Sequence, residues 1–94
     1  MNVHWAKAAT RQLLAAHAYV AADNRAAADR LLLRITQSVR RLGAHPGAGR
    51  AGRVRNTREL VVPGTPYIVA YQVRRSAIQV LAALHGKRKW PAGF

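Results

Sequence analysis

Between Arg58 and Pro91 the chain reads RELVVPGTPYIVAYQVRRSAIQVLAALHGKRKWP, and no other stretch constrains the fold as strongly. Apolar residues come in three short blocks separated by turn formers, the pattern of strands joined by tight turns. Pro63-Gly64-Thr65-Pro66 supplies the first turn and Arg74-Arg75-Ser76 the second. Side chains alternate along a strand, so Tyr67, Val69, Tyr71 and Val73 share one face and Ile68, Ala70 and Gln72 the other. The same alternation sends Ile78, Val80, Ala82 and Leu84 toward the core and Gln79, Leu81, Ala83 and His85 away from it. Val3, His4 and Trp5 predict one more short strand at the start.

Two helices fill the first half. Lys7 to Ala22 is Ala-rich and free of Gly and Pro, which favours helix. Leu13, His17 and Val20 share a face there, which predicts His17 as a core residue. Asp23-Asn24 breaks and restarts the helix, either side chain being a good N-cap. Beyond it Ala28, Leu32, Ile35, Val39 and Leu42 recur at helical spacing as one apolar stripe, with Arg30, Arg34, Gln37 and Arg41 opposite. Gly43 is placed to end this helix as a left-handed cap. The loop HPGAGRAGRVRN, His45 to Asn56, follows; its arginines are too dense for a spacer alone, which makes Arg53 and Arg55 candidates for partner contact. The expected fold is α+β: one domain over residues 1–94, in the order β-α-α-β-β-β, with a helical hairpin packed on an antiparallel sheet.

Charge is the other strong signal. Sixteen Lys and Arg face only three acids, Asp23, Asp29 and Glu59, for a formal charge of +13. An excess of this size repels itself and calls for an anionic partner, nucleic acid or an acidic protein. Cysteine is absent, so disulfides and thiolate metal sites are excluded, as suits a reducing cytoplasm. No apolar run approaches the roughly 18–20 residues of a membrane span.

The residues exclude much chemistry. Four scattered histidines and three scattered acids form no metal-ligand pattern, and no cofactor motif is present. Metal-free RNA cleavage needs a base, an acid and cations around the phosphorus oxygens. His85 is the candidate acid or base, imidazole titrating near ~6.5, with Arg58 and Arg88 as cations. Lys87, Arg88, Lys89 and Trp90 form a cationic tail for target binding, in which Trp90 either stacks on a base or anchors the tail by packing. Glu59 is expected to pair with a neighbouring arginine.

The HPGAGR loop, TRELVV, PYIVAYQV and the closing AIQVLAALHGKRKWP, together with the helical hairpin, resemble the RelE/ParE superfamily of bacterial type II toxins. The resemblance spans nearly the whole chain. It implies a cytoplasmic toxin that arrests growth until a cognate acidic antitoxin binds it in a hetero-oligomer. It leaves two targets open, DNA gyrase for ParE-like members and ribosome-bound mRNA for RelE-like endoribonucleases. Arg58 and Arg88 match cationic positions of the RelE-like branch. Ile68, where that branch carries arginine after the aromatic Tyr67, and Phe94, where it carries tyrosine near the C-terminus, depart from it. The reading therefore leans to gyrase. The alternative from another class is a non-toxic, basic nucleic-acid-binding module.

Overall fold

The structure, a computed structural model, describes residues 1–94. The chain runs β1 (Asn2–Trp5), α1 (Lys7–Ala21), α2 (Arg25–Arg41), β2 (Arg50–Ala51), β3 (Arg58–Val61), β4 (Tyr67–Arg74) and β5 (Ala77–His85). The strands form one sheet in the order β1-β5-β4-β3-β2. The sheet is mixed rather than antiparallel throughout: β1 pairs parallel to β5, with Trp5 opposite Val80. β2, two residues long, is an edge strand the sequence pattern does not announce. No helix is long and apolar enough to cross a membrane.

The hairpin forms as its sequence predicts. Asn24 holds extended dihedrals and its Oδ1 accepts from the Ala27 N–H at 3.0 Å, satisfying one of the free donors that start α2. Ala28, Ile35, Val39 and Leu42 are buried from the α2 stripe and Ala9 and Leu13 from α1. All of these but Ala28 join Val62, Val69, Tyr71, Ile78, Val80 and Ala83 in the main core between hairpin and sheet.

Three local expectations are corrected. Gly43 does not adopt positive φ, the only glycine that does being Gly64. Its lack of a Cβ serves close approach instead, because a Cβ there would lie 2.7 Å from the Met1 carbonyl oxygen, while the Met1 nitrogen donates to the Gly43 carbonyl at 2.8 Å. His17 is not a core residue. Its Nε2 donates to Asp29 Oδ1 at 2.8 Å across the hairpin, and that bond holds the Asp29 carboxyl below its ordinary range.

The third correction concerns the last strand. β4 and β5 pair from Tyr67↔His85 to Ala70↔Ala82, then shift so that Tyr71 meets Val80, leaving Leu81 unpaired as a bulge. One extra residue reverses which face each later side chain takes. Ile78, Val80 and Ala83 therefore join the main core. Ala82 and Leu84 instead pack with Ala70 on the outer face of the sheet.

Candidate functional site

The bulge and the short β1 together shape one end of the molecule. β1 stops opposite Val80, so the β5 edge beyond it lacks a strand neighbour. Helix α1 covers this edge, and Gln12 Oε1 accepts from the Ala83 N–H at 2.9 Å in place of a strand. His85, at the end of β5, falls on the helix side beside Tyr67. Their rings meet edge to face, centroids 5.5 Å apart. The Lys87 N–H donates to His85 Nδ1 at 3.1 Å, which places the proton of the neutral ring on Nε2. Burial raises the Tyr67 hydroxyl above its ordinary value despite the Arg88 charge nearby, so the phenol stays neutral.

Two grooves open on this end. A cleft of about 250 Å³ is lined by Gln12, Tyr19, Tyr67, His85 and Arg88. Tyr67 and His85 also border a wider groove of about 490 Å³ between the hairpin and the β3–β4 turn, whose other walls include Tyr19, Val20, Leu31, Arg30 and Arg34. Tyr19, 82 % exposed, stands on the rim of both. Tyr19 and Leu31 were not singled out from sequence. The available signal was a lone aromatic on the Ala-rich α1, outside its apolar face.

A second cationic cluster lies at the far edge. Glu59 is 3 % exposed and sits between arginines. Arg53 donates to it through its main-chain N–H at 2.8 Å, Nε at 3.0 Å and a terminal nitrogen at 3.1 Å, and Arg50 adds a fourth bond at 3.3 Å. Burial alone would raise the Glu59 pKa, but these bonds outweigh it and hold the carboxyl below its ordinary range. The Arg53 guanidinium then lies over the Trp90 ring, 4.1 Å from its centroid. Trp90 itself covers Ala70, Ala82 and Leu84, the apolar patch the bulge moved outward. Its indole N–H is buried without a hydrogen-bond partner.

The predicted site residues therefore divide. His85 and Arg88 line one cleft. Arg58 does not join them. It pairs with Tyr71, four residues along β4 from the Tyr67–His85 pair and one strand further out. That spacing separates Arg58 from His85 by about 13 Å along the strands and about 10 Å across them. Its guanidinium donates to the Gly49 carbonyl at 2.8 Å. Arg53 and Trp90 hold each other in a packed stack, whereas Arg55, Lys87, Arg88 and Lys89 are exposed.

The HPGAGR segment has a structural use. The buried Tyr71 hydroxyl donates to the Pro46 carbonyl and accepts from the Gly49 N–H, both at 2.8 Å. A Cβ on Gly49 would lie 2.7 Å from the Tyr71 ring, so the motif and the central-strand tyrosine fit only as a pair.

A hairpin packed on a mixed sheet with a cationic end and tail is the architecture of small type II toxins, and comparison with known proteins agrees. Residues 3–90 match the family described as ParE toxin of type II toxin-antitoxin system, parDE. A protein of Sinorhizobium fredii named "Putative toxin Y4kP" is 37% identical over 90 residues, covering 96% of this chain and 93% of that one. A solved chain from the chromosomal ParDE TA system of P. aeruginosa superposes with a TM-score of 0.80 at 27% identity, over 90% of this chain and 95% of the other. The protein is thus a toxin of the RelE/ParE superfamily. Within it, the chain belongs to the ParE toxin family.

Proposed function

We propose that this toxin acts on DNA gyrase in the cytoplasm, without cleaving RNA, and is neutralised by a cognate acidic antitoxin. The observation that carries the reading is the dispersal of the residues a metal-free ribonuclease would need. Arg58 lies two strands from His85 and is bonded to the Gly49 carbonyl. A phosphorus centre held by His85 and Arg88 would lack that second cation, and transition-state stabilisation falls off steeply with such distance. Ile68 is buried and apolar where a ribonuclease of this superfamily would present arginine.

The groove of about 490 Å³ suits the antitoxin. Val20, Leu31 and Tyr67 give it an apolar floor, Tyr19 an aromatic rim, and Arg30 and Arg34 a cationic border. An amphipathic acidic segment matches both, and binding it would relieve the self-repulsion of a +13 chain.

Purified toxin added to a gyrase supercoiling reaction is expected to block it, and added to translating ribosomes to leave the message intact. Message cut at codon boundaries with supercoiling untouched would overturn the proposal. Leu31→Glu is expected to keep toxicity while escaping neutralisation by the antitoxin.

A further inference from the structure

The cleft of about 250 Å³ between α1 and the end of β5 is lined by polar groups of a single polarity. Gln12 and Tyr19 face it from α1, and Tyr67, His85 and Arg88 from the sheet and its tail. Buried Ala16 and Ala83 form its base, and no acid lines it.

The fold decides which end of each polar group the cleft meets. Gln12 Oε1 is taken by the Ala83 N–H at 2.9 Å, so the amide turns its NH2 to the cleft. His85 Nδ1 is taken by the Lys87 N–H at 3.1 Å, so the neutral ring offers Nε2–H. Burial keeps the Tyr67 phenol protonated, and the Arg88 guanidinium can only donate. The turn that carries Arg88 is itself seated: its N–H donates to the His85 carbonyl at 2.9 Å, and the Gly86 N–H to the Pro66 carbonyl at 2.7 Å. Donors ordered before a ligand arrives lose less entropy on binding it.

We infer that this cleft is a receptor for one carboxylate, the side chain of an acidic residue on the antitoxin segment that lies in the wider groove. Donors alone select a ligand that only accepts. One cation with three neutral donors matches a single negative charge, and an ionised carboxyl brings two oxygens with about four lone-pair sites. A phosphate monoester, at about −1.5 to −2, would be left half neutralised. The wider groove shares the wall of Tyr19, Tyr67 and His85 and adds Val20 and Leu31. An occupant of both must set apolar side chains beside its anion, as an acidic peptide does and a sugar-phosphate backbone does not. The inference rests on the wider groove being the antitoxin's seat, and adds to it the anion that the segment must carry.

The direct test exchanges sodium acetate for sodium chloride at constant ionic strength on the isotope-labelled full chain, read by NMR at the Gln12 amide and the His85 ring. Saturable shifts at both are expected. Arg88→Gln is expected to weaken acetate roughly tenfold or more through loss of a charge-assisted hydrogen bond. Arg11→Gln removes equal charge beside Gln12 but outside the cleft, and is expected to change it by less than about twofold. Gln12→Glu keeps an oxygen for the Ala83 N–H while putting a carboxylate into the cleft, so it is expected to abolish acetate binding in a chain that circular dichroism shows to be folded. Shifts that do not saturate, or equal losses in Arg88→Gln and Arg11→Gln, would reduce the effect to diffuse charge and overturn the inference. Tighter binding of dimethyl phosphate than of acetate would overturn it in favour of a nucleic-acid backbone. Calorimetry with the cognate antitoxin then separates cleft from groove. Arg88→Gln and Gln12→Glu are both expected to weaken the complex roughly tenfold or more. Full affinity in these two with loss in Leu31→Glu would overturn the inference and keep the groove. Loss in these two with Leu31→Glu unaffected would overturn the groove and keep the carboxylate site.

Discussion

The Arg53 guanidinium lies over the ring of Trp90, 4.1 Å from its centroid, and fastens the C-terminal tail to the loop before β3. Glu59 orients Arg53 from below, and Trp90 in turn covers Ala70, Ala82 and Leu84. Both residues suit target binding when read from sequence. In the fold each occupies the other's exposed surface.

Trp90 tests this stack directly. Trp90→Ala is expected to cost about 2 kcal/mol through lost apolar cover. Trp90→Phe keeps the cover and a ring for Arg53 while removing the buried, unpartnered indole N–H, a group whose burial costs about 1–3 kcal/mol. It is therefore expected to be neutral or mildly stabilising in urea denaturation. Equal destabilisation by both substitutions would mean the indole nitrogen has a partner.

Tyr71→Phe removes one oxygen and strands two groups, the Gly49 N–H and the Pro46 carbonyl. The expected loss is about 2 kcal/mol. Gly49→Ala attacks the same junction by crowding the ring, so the double variant should lose less than the sum of the singles. Additive losses in a double-mutant cycle would show the two sites to be independent.

Glu59 gives the stability a pH signature. Its native pKa is lowered, so its contribution is full above the ordinary carboxylate value of 4.5. It is lost as pH falls below that value through the depressed native one. Glu59→Gln is expected to be less stable at neutral pH and to show a smaller decline on acidification. Urea midpoints measured from neutral pH to below 4.5 give the comparison. Parallel curves for the two proteins would remove Glu59 from the account.

The β4–β5 turn is open to improvement. Arg75 and Ser76 have φ +49 and +62, both positive as a two-residue hairpin turn requires, yet neither is a residue that favours this conformation. Arg75→Asn with Ser76→Gly is expected to add about 1 kcal/mol. An unchanged or lower thermal midpoint would show that the turn is not strained.

Much of this fold was legible because its signals are local. The α2 stripe of Ala28, Ile35, Val39 and Leu42 is set by the helical period alone, and Asn24 caps that helix as its side chain dictates. The pairing of Glu59 with arginine was foreseen too, since a lone acid among cations has few other fates. The face of β5 was not legible. Strict alternation puts Ala82 and Leu84 in the main core, and the bulge at Leu81 sends them outward while bringing Ala83 in. A bulge arises from fit between strands and leaves no mark in one strand's own pattern.

The candidate site shows the same division. The sequence by itself determined the element types apart from the short β2, the uncompensated charge of +13 and the superfamily, because propensity, period and composition belong to the chain. Only the tertiary structure decided which cations stand together: His85 with Arg88 in one cleft, Arg58 on the Gly49 carbonyl, Arg53 on Trp90, and Arg34 over Gly64. Those partnerships depend on strand order, the shifted register and the path of the tail, which bring distant residues within a few ångströms of one another.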